Sequence, residues 1–291
     1  MKTASYSICG LRLRIDSEYP LHEELEQCCF RSAETEADVC VTLKSVQKLP
    51  HPGGIACPSN PEYPVWREGS WITRCCWDPF RPNPHFCAAY DLNRPGKIDC
   101  QIRQECWLWA TREKYLWNGI QLPYLLLHHR SLIFHASYVG FGENGILFTA
   151  PSGTGKSTQA ELWRQCMGAD VFNGDKAGVH LGKIPTLCGV PFSGTSGICR
   201  NVTLPLKAVV VLSQAPENTV RQLKPVEAVR ALCPNVFVDQ AIAEEWQTAM
   251  GLLLDLIEQV PVYSLACTPD ARAVKTLYRA VFGEGTQDER L

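Results

Sequence analysis

Apolar and polar residues alternate with period two at residues 11–15, where Arg12 and Arg14 separate Leu11, Leu13 and Ile15. That is the pattern of a half-buried strand. Residues 38–44 carry a second strand pattern, and the stretch 20–30 between them predicts a short helix. Five prolines and two glycines over residues 50–64 read as a loop. Strands are predicted again at 70–76, 86–92 and 97–103, at hairpin-like spacing. From residue 119 the pattern changes. Residues 120–130 predict an apolar helix, 132–141 a strand, and the run 146–148 a short buried strand. Farther on, 207–212 predicts a buried strand, 240–259 a long amphipathic helix, 260–265 a strand and 270–282 a closing helix. The last residues, 283–291, are expected to fray. The expected organisation is a β-rich domain over 1–118 followed by an α/β domain over 119–291, without internal repeats.

The strongest chemical signal follows the run 146–148. Ala150-Pro-Ser-Gly-Thr-Gly-Lys-Ser157 fits the phosphate-loop pattern, with Ala150 where the first glycine usually stands. Residues from Ser157 onward make a good helix opening, so the order is strand, glycine-containing loop, helix. Backbone N–H groups and the positive end of a helix then converge on one anion. Gly153 and Gly155 permit the backbone angles and the close approach such a loop needs. Ser152, Gly153, Thr154, Gly155, Lys156, Ser157 and Thr158 are the candidate nucleotide-binding residues. Lys156 would reach the outer phosphates and the Ser157 hydroxyl would ligate magnesium, with ATP as the default donor. GTP and pyrophosphate remain alternatives.

Composition adds bounds. The chain has 291 residues, 45% of them hydrophobic, enough for a real core in one large or two ordinary domains. A net charge of −2 gives no footprint for nucleic acid or an anionic membrane. No apolar run approaches a membrane span, and the first residues are not a signal sequence. Ten of the fifteen cysteines precede residue 120, as do most of the tryptophans. The odd number, the adjacent pairs Cys28-Cys29 and Cys75-Cys76, and the lack of any Cys-x-x-Cys argue against a disulfide scaffold or a zinc site. Reduced, mostly buried thiols and a cytoplasmic location are expected.

A phosphate loop works with an acidic group near the metal. Asp175 closes a weakly apolar run one helix after the loop. Asp239 closes the better apolar run 236–238, much farther along, and Asp255 sits in a helical pattern that suits a solvated or helix-contact residue. Spacing alone leaves the choice open.

The stretch 134–179 resembles the core of the HPr kinase/phosphorylase family and its ATP-dependent phosphoenolpyruvate carboxykinase relatives. His135-Ala-Ser-Tyr-Val, the loop 150–157 and Asn173-Gly-Asp-Lys176 stand in the family's order and at nearly its separations. The resemblance implies an α/β phosphate-loop core of that type behind a small β-rich domain. It implies that Asp175 meets magnesium or the acceptor hydroxyl and that His135 lies at the phosphate. It also implies an ATP-dependent kinase, assembled as an oligomer through its core. The chain resembles a divergent branch, the small kinases of peptide-modification pathways, some of which phosphorylate a serine hydroxyl of a short peptide. The expected acceptor is therefore a serine or threonine of a peptide or small protein, with a small-molecule hydroxyl as the alternative. A module that binds or hydrolyses nucleotide without transfer is a further alternative. The chain departs from the family where Gly174 precedes Asp175, since two adjacent aspartates are usual there. It also lacks the Glu-x-Arg-Gly-x-Gly signature.

Other residues have two readings each. Residues 193–197 could hold a phosphate or substrate, or form an ordinary turn. Arg200 beyond them could offset charge on a transferring phosphoryl group, or lie on the surface. His135 could be a satisfied strand histidine, and His128 and His129 read as structural. Trp66, Trp71, Trp77, Trp107 and Trp109 could form an aromatic platform, though such residues more often fill a small β-domain core.

Overall fold

The structure is a computed structural model that describes residues 1–58, 63–76 and 84–283. Trp77, the middle of the proline-rich loop and most of the expected frayed end lie outside the described residues. The fold is mixed α/β, with two large sheets. It divides into two compact units, residues 1–129 with 238–246, and residues 130–237 with 247–291.

Among the described residues the first unit has nine strands: β1 (Lys2–Ile8), β2 (Leu11–Ser17), β3 (Arg31–Ser32), β4 (Val39–Val46), β5 (Ile55–Cys57), β6 (Val65–Glu68), β7 (Trp71–Cys76), β8 (Phe86–Asp91) and β9 (Lys97–Arg103). They form one sheet in the order β3-β1-β2-β4-β9-β8-β7-β6-β5. The alternation in β2 does what period two requires: Leu11, Leu13 and Ile15 are buried, while Arg12 pairs with Glu36 and Asp38 at 2.8 Å each. The helix expected within 20–30 is a single turn, α1 (Glu23–Glu26). Strand β5 interrupts what reads as a loop, and its exposed residues give no apolar pattern to detect. The tryptophan-rich end of the unit folds into three short helices, α2 (Trp107–Ala110), α3 (Glu113–Gly119) and α4 (Leu122–His128). Trp107 and Trp117 are core residues and Trp109 stacks on Tyr115 at 4.3 Å, whereas Trp71 is exposed.

Two features of this unit were invisible in the sequence. Cys75 and Cys87 form a disulfide, which corrects the expectation that all thiols are reduced. They stand directly opposite each other on antiparallel β7 and β8, a register that spacing along the chain cannot reveal. The second is a buried polar cluster closed by the segment 238–246. Arg74 donates to both carboxylate oxygens of Glu245 at 2.8 and 2.9 Å and to the Tyr90 hydroxyl at 2.7 Å. Tyr90 donates in turn to Glu245 at 2.8 Å, and Arg74 also bonds Asp239. Asp239, one of the three candidate acids, is therefore engaged in the first unit by an arginine.

The second unit contains β10 (Ser131–Phe141), β11 (Asn144–Thr149), α5 (Lys156–Met167), β12 (Asp170–Asn173), β13 (Lys176–Leu181), β14 (Pro185–Gly189), β15 (Thr203–Gln214), β16 (Thr219–Gln222), α6 (Pro225–Leu232), most of α7 (Ala243–Gln259), β17 (Val262–Cys267) and α8 (Ala271–Phe282). The strand path β11-β10-β13-β14-β15 closes on itself, because β15 also pairs with β11 in parallel. From β15 the sheet continues to β17 and β16. Helices α5 and α8 cover it. Trp163 from α5 and Ala273, Val274, Leu277 and Tyr278 from α8 pack on Ile146, Phe148, Val210, Leu212 and Leu265. The Asp270 side chain accepts from Arg272 N–H and caps α8 where the sequence predicts its start. Asp255 lies on α7 in an exposed ion pair with Arg130 at 3.0 Å, as its helical pattern suggested. No helix among the described residues is long and apolar enough to cross a membrane.

Candidate functional site

The long strand β10 changes partners along its length. Residues 131–135 pair with β13 and residues 138–140 with β12 on one edge, and residues 136–141 pair with β11 on the other. The change falls between His135, opposite Lys176, and Ala136, opposite Thr149. Thr149 is the last residue of β11 before the glycine loop, and its hydroxyl donates to the His135 carbonyl at 2.9 Å. On the other side Ala136 N–H donates to the Asp175 carbonyl at 2.9 Å. A single strand thus sets the glycine loop and the Asn173–Lys176 turn on either side of His135.

The loop itself runs from Ala150 to Gly155, where α5 begins. Gly153 and Gly155 have φ of +78° and +115°. A Cβ on either would meet nothing within 4 Å. Backbone conformation alone therefore demands glycine here, and the expected crowding is absent: the loop faces open space, where an anion would lie. Lys156 donates to the carbonyls of Ala150 and Pro151 at 2.8 and 3.3 Å. Burial lowers its pKa, and Asp175 acts in the opposite direction. The loop borders a cleft of about 630 Å³ lined by Thr158, Gln159, Gln214, Cys267 and Thr268 among others.

The acidic turn is held by Asn173. Its side-chain oxygen accepts from the N–H groups of Asp175 and Lys176 at 3.0 and 3.1 Å, and its amide donates to the Val190 carbonyl at 3.0 Å. This fully buried asparagine escaped the sequence reading. The Asn-Gly pair was a usable signal, because an asparagine side chain commonly closes such a turn. One Asp175 oxygen lies 3.6 Å from His135 Nδ1 and the other 3.2 Å from Lys176 Nζ. Burial, then Lys156, holds the His135 pKa below its usual 6.5, with Lys176 acting in the same sense. That direction favours the uncharged ring, which can accept a hydrogen bond.

The segment 193–197 packs on this turn. A Cβ on Gly194 would come within 2.5 Å of Asp175 Cγ, and one on Gly174 within 2.5 Å of Ser196 Oγ. Ser196 is itself tied, donating to Ser193 O at 2.9 Å and accepting from Ile198 N–H at 3.3 Å. Gly174 therefore stands where a second aspartate would collide with that loop. Installing it, as Gly174→Asp, is expected to displace the loop and lower activity rather than restore a lost carboxylate. A rate above wild type would show that the loop yields freely. Arg200 donates its N–H to Phe172 O at 3.0 Å, while its guanidinium is 62% exposed and 3.9 Å from Asp170. Ser152, Ser157 and Thr158 line the exposed side of the loop and helix start.

Magnesium prefers hard oxygen donors. Ser157 and Asp175 are hard oxygen donors, and no group of three or more His, Cys, Asp or Glu that could hold a metal occurs among the described residues. Mg²⁺ is commonly held by one or two protein ligands, with phosphate and water completing the shell.

No protein-family model matches the chain, and no curated protein matches it. Among solved structures, it is similar to the HPr(Ser) kinase/phosphatase from Coxiella burnetii, at 12% identity over 51% of this chain and 88% of that one, with a TM-score of 0.31. That score marks a distant likeness over half of the chain, too remote to bear on activity.

Proposed function

We propose that the second unit is an ATP-dependent phosphotransferase of HPr-kinase-like type that delivers the γ-phosphoryl group to a serine or threonine hydroxyl of a peptide or small protein. The carrying observation is the strand β10, which puts Asp175 and His135 beside the start of the glycine loop. Backbone N–H groups of residues 153–157 would bind the triphosphate, and Lys156 would exchange its two carbonyl partners for phosphate oxygens. Ser157 and Asp175 would hold magnesium, which supplies charge neutralisation on the β- and γ-phosphates. Asp175 would orient the acceptor hydroxyl and take its proton, with the His135 ring beside it to share that proton. The segment 193–197, already against Asp175, would help seat the acceptor and exclude water, with Arg200 at its end.

A second reading has an observation in its favour. Lys176 covers one oxygen of the single aspartate, which suits a module that binds or hydrolyses nucleotide without transfer. Labelled ATP with candidate peptides and with whole-cell extract separates these and the small-molecule alternative. Label on peptide serine or threonine supports the kinase, release of free phosphate alone supports the ATPase, and label only on a metabolite supports a small-molecule kinase.

Asp175→Asn is expected to leave nucleotide binding largely in place, with a weaker dependence on magnesium because an amide is a poor ligand for it, and to remove transfer because an amide cannot accept the proton. Asp239→Asn should keep its rate and lose some stability through Arg74. Inactivity of the Asp239 variant with a normal rate for Asp175→Asn would reverse the assignment.

A further inference from the structure

Lys176 has no part in the phosphoryl transfer described above. Its ammonium lies 3.2 Å from Asp175 and is flanked by two rings, 5.5 Å from the Phe192 centroid and 5.1 Å from that of Phe237. The rings belong to separate segments, one after β14 and one before residue 238, and stand 6.2 Å apart. Backbone bonds fix both supports: Phe192 N–H donates to Val190 O at 2.7 Å and Phe237 N–H to Ile133 O at 2.7 Å. Lys176 N–H is itself held by Asn173. A lysine stem enclosed this way loses much of the freedom a surface lysine has, and the rings favour a charged head. One carboxylate serves here beside two lysines, Lys156 and Lys176. The local balance is positive, which suits extra negative charge next to Asp175 rather than a second metal.

We propose that Lys176 is a further catalytic residue, the cation that contacts the transferring phosphoryl group on its acceptor side. The inference rests on the phosphotransferase reading. In the step, the acceptor oxygen forms its bond to the γ-phosphorus as the bond from that phosphorus to the β–γ bridging oxygen breaks. The bond electrons leave with ADP and the hydroxyl proton passes to Asp175. Charge spreads over the three equatorial oxygens, and Lys156 meets them from the loop side. Lys176 is placed to meet them from the Asp175 side, turning from the carboxylate as Asp175 takes the proton. Until then its contact keeps Asp175 aimed.

The test compares wild type, Lys176→Ala and Lys176→Arg in two assays. One is peptide phosphorylation. The other is calorimetric binding of Mg–ADP with and without aluminium fluoride, which mimics the planar phosphoryl group. Lys176→Ala is expected to lower kcat about 100-fold or more with KM for ATP within threefold. It should bind Mg–ADP normally and lose at least tenfold in affinity for the aluminium fluoride complex. Ethylammonium should return part of the lost rate by occupying the space between the rings, and Lys176→Arg should keep an intermediate rate. A Lys176→Ala enzyme that binds the aluminium fluoride complex as wild type does overturns the inference and leaves the kinase reading standing. A loss confined to Mg–ADP affinity overturns it as well. Failure of the wild-type protein to bind Mg–ADP or Mg–ATP overturns the phosphotransferase reading, and the inference with it.

Discussion

Lys156→Ala is expected to abolish turnover and to weaken Mg–ATP binding by about 2–4 kcal/mol, the range for a charge-assisted contact to phosphate. In a titration this reads as roughly a 30- to 1,000-fold rise in Kd. The folded protein should lose little, although the lysine is only 7% exposed. Its two hydrogen bonds go to carbonyls of its own loop, next to open space, and water can replace them. The change should therefore appear in nucleotide affinity, with a shift of only a few degrees in the melting temperature. Near-native affinity for Mg–ATP would remove the phosphate-loop assignment and the proposal built on it.

The largest stability effect is expected in the first unit. Arg74 and Glu245 have side chains 5% and 3% exposed, joined by two hydrogen bonds and shared with Tyr90. Breaking such a pair from one side costs about 3–5 kcal/mol, chiefly because the remaining charge stays buried. Arg74→Met should bear that full cost, since Glu245 then keeps only the Tyr90 hydroxyl. Adding Glu245→Leu should return part of the stability by removing the orphaned charge. Urea unfolding followed by tryptophan fluorescence reports mainly this unit, because Trp66, Trp71, Trp107, Trp109, Trp117 and Trp246 all belong to it. A single variant that costs less than about 1 kcal/mol would mean that water reaches the carboxylate, so that the pair is not buried in solution.

The legible parts of this chain are those whose own periodicity settles their structure. Strand β9 and helix α8 lie where the apolar pattern puts them, and β10 begins within one residue of its expected start. Strands β13 and β14 were missed because they are short and carry glycine and proline, which local pattern penalises. Their pairing with β10 and β15 stabilises them, and that information lies elsewhere in the sequence. The candidate site divides in the same way. The glycine loop is contiguous and was legible as a motif. The proximity of His135 to Asp175 was expected from resemblance alone, and pairing of β10 with β13 brings it about. Asn173, Lys176 and the two phenylalanines gain meaning only through contacts across strands and loops, so no spacing could mark them. The disulfide and the Arg74 cluster were hidden for the same reason.

The exchange of partners along β10 bears on how this site can vary. On one edge of β10, residues 131–135 pair with β13 and residues 138–140 with β12, so the acidic turn between those two strands is fixed from both ends, while on the other edge residues 136–141 fix the glycine loop through β11. Neither can be repositioned while the other stays. Deleting one residue near His135 would turn every later side chain of β10 to the opposite face and carry the glycine loop out of step with Asp175. The turn between β13 and β14, by contrast, is a connection that the shared strand does not govern. Length changes compatible with the site should therefore collect at the turn 182–184, while the eleven residues of β10 keep their number.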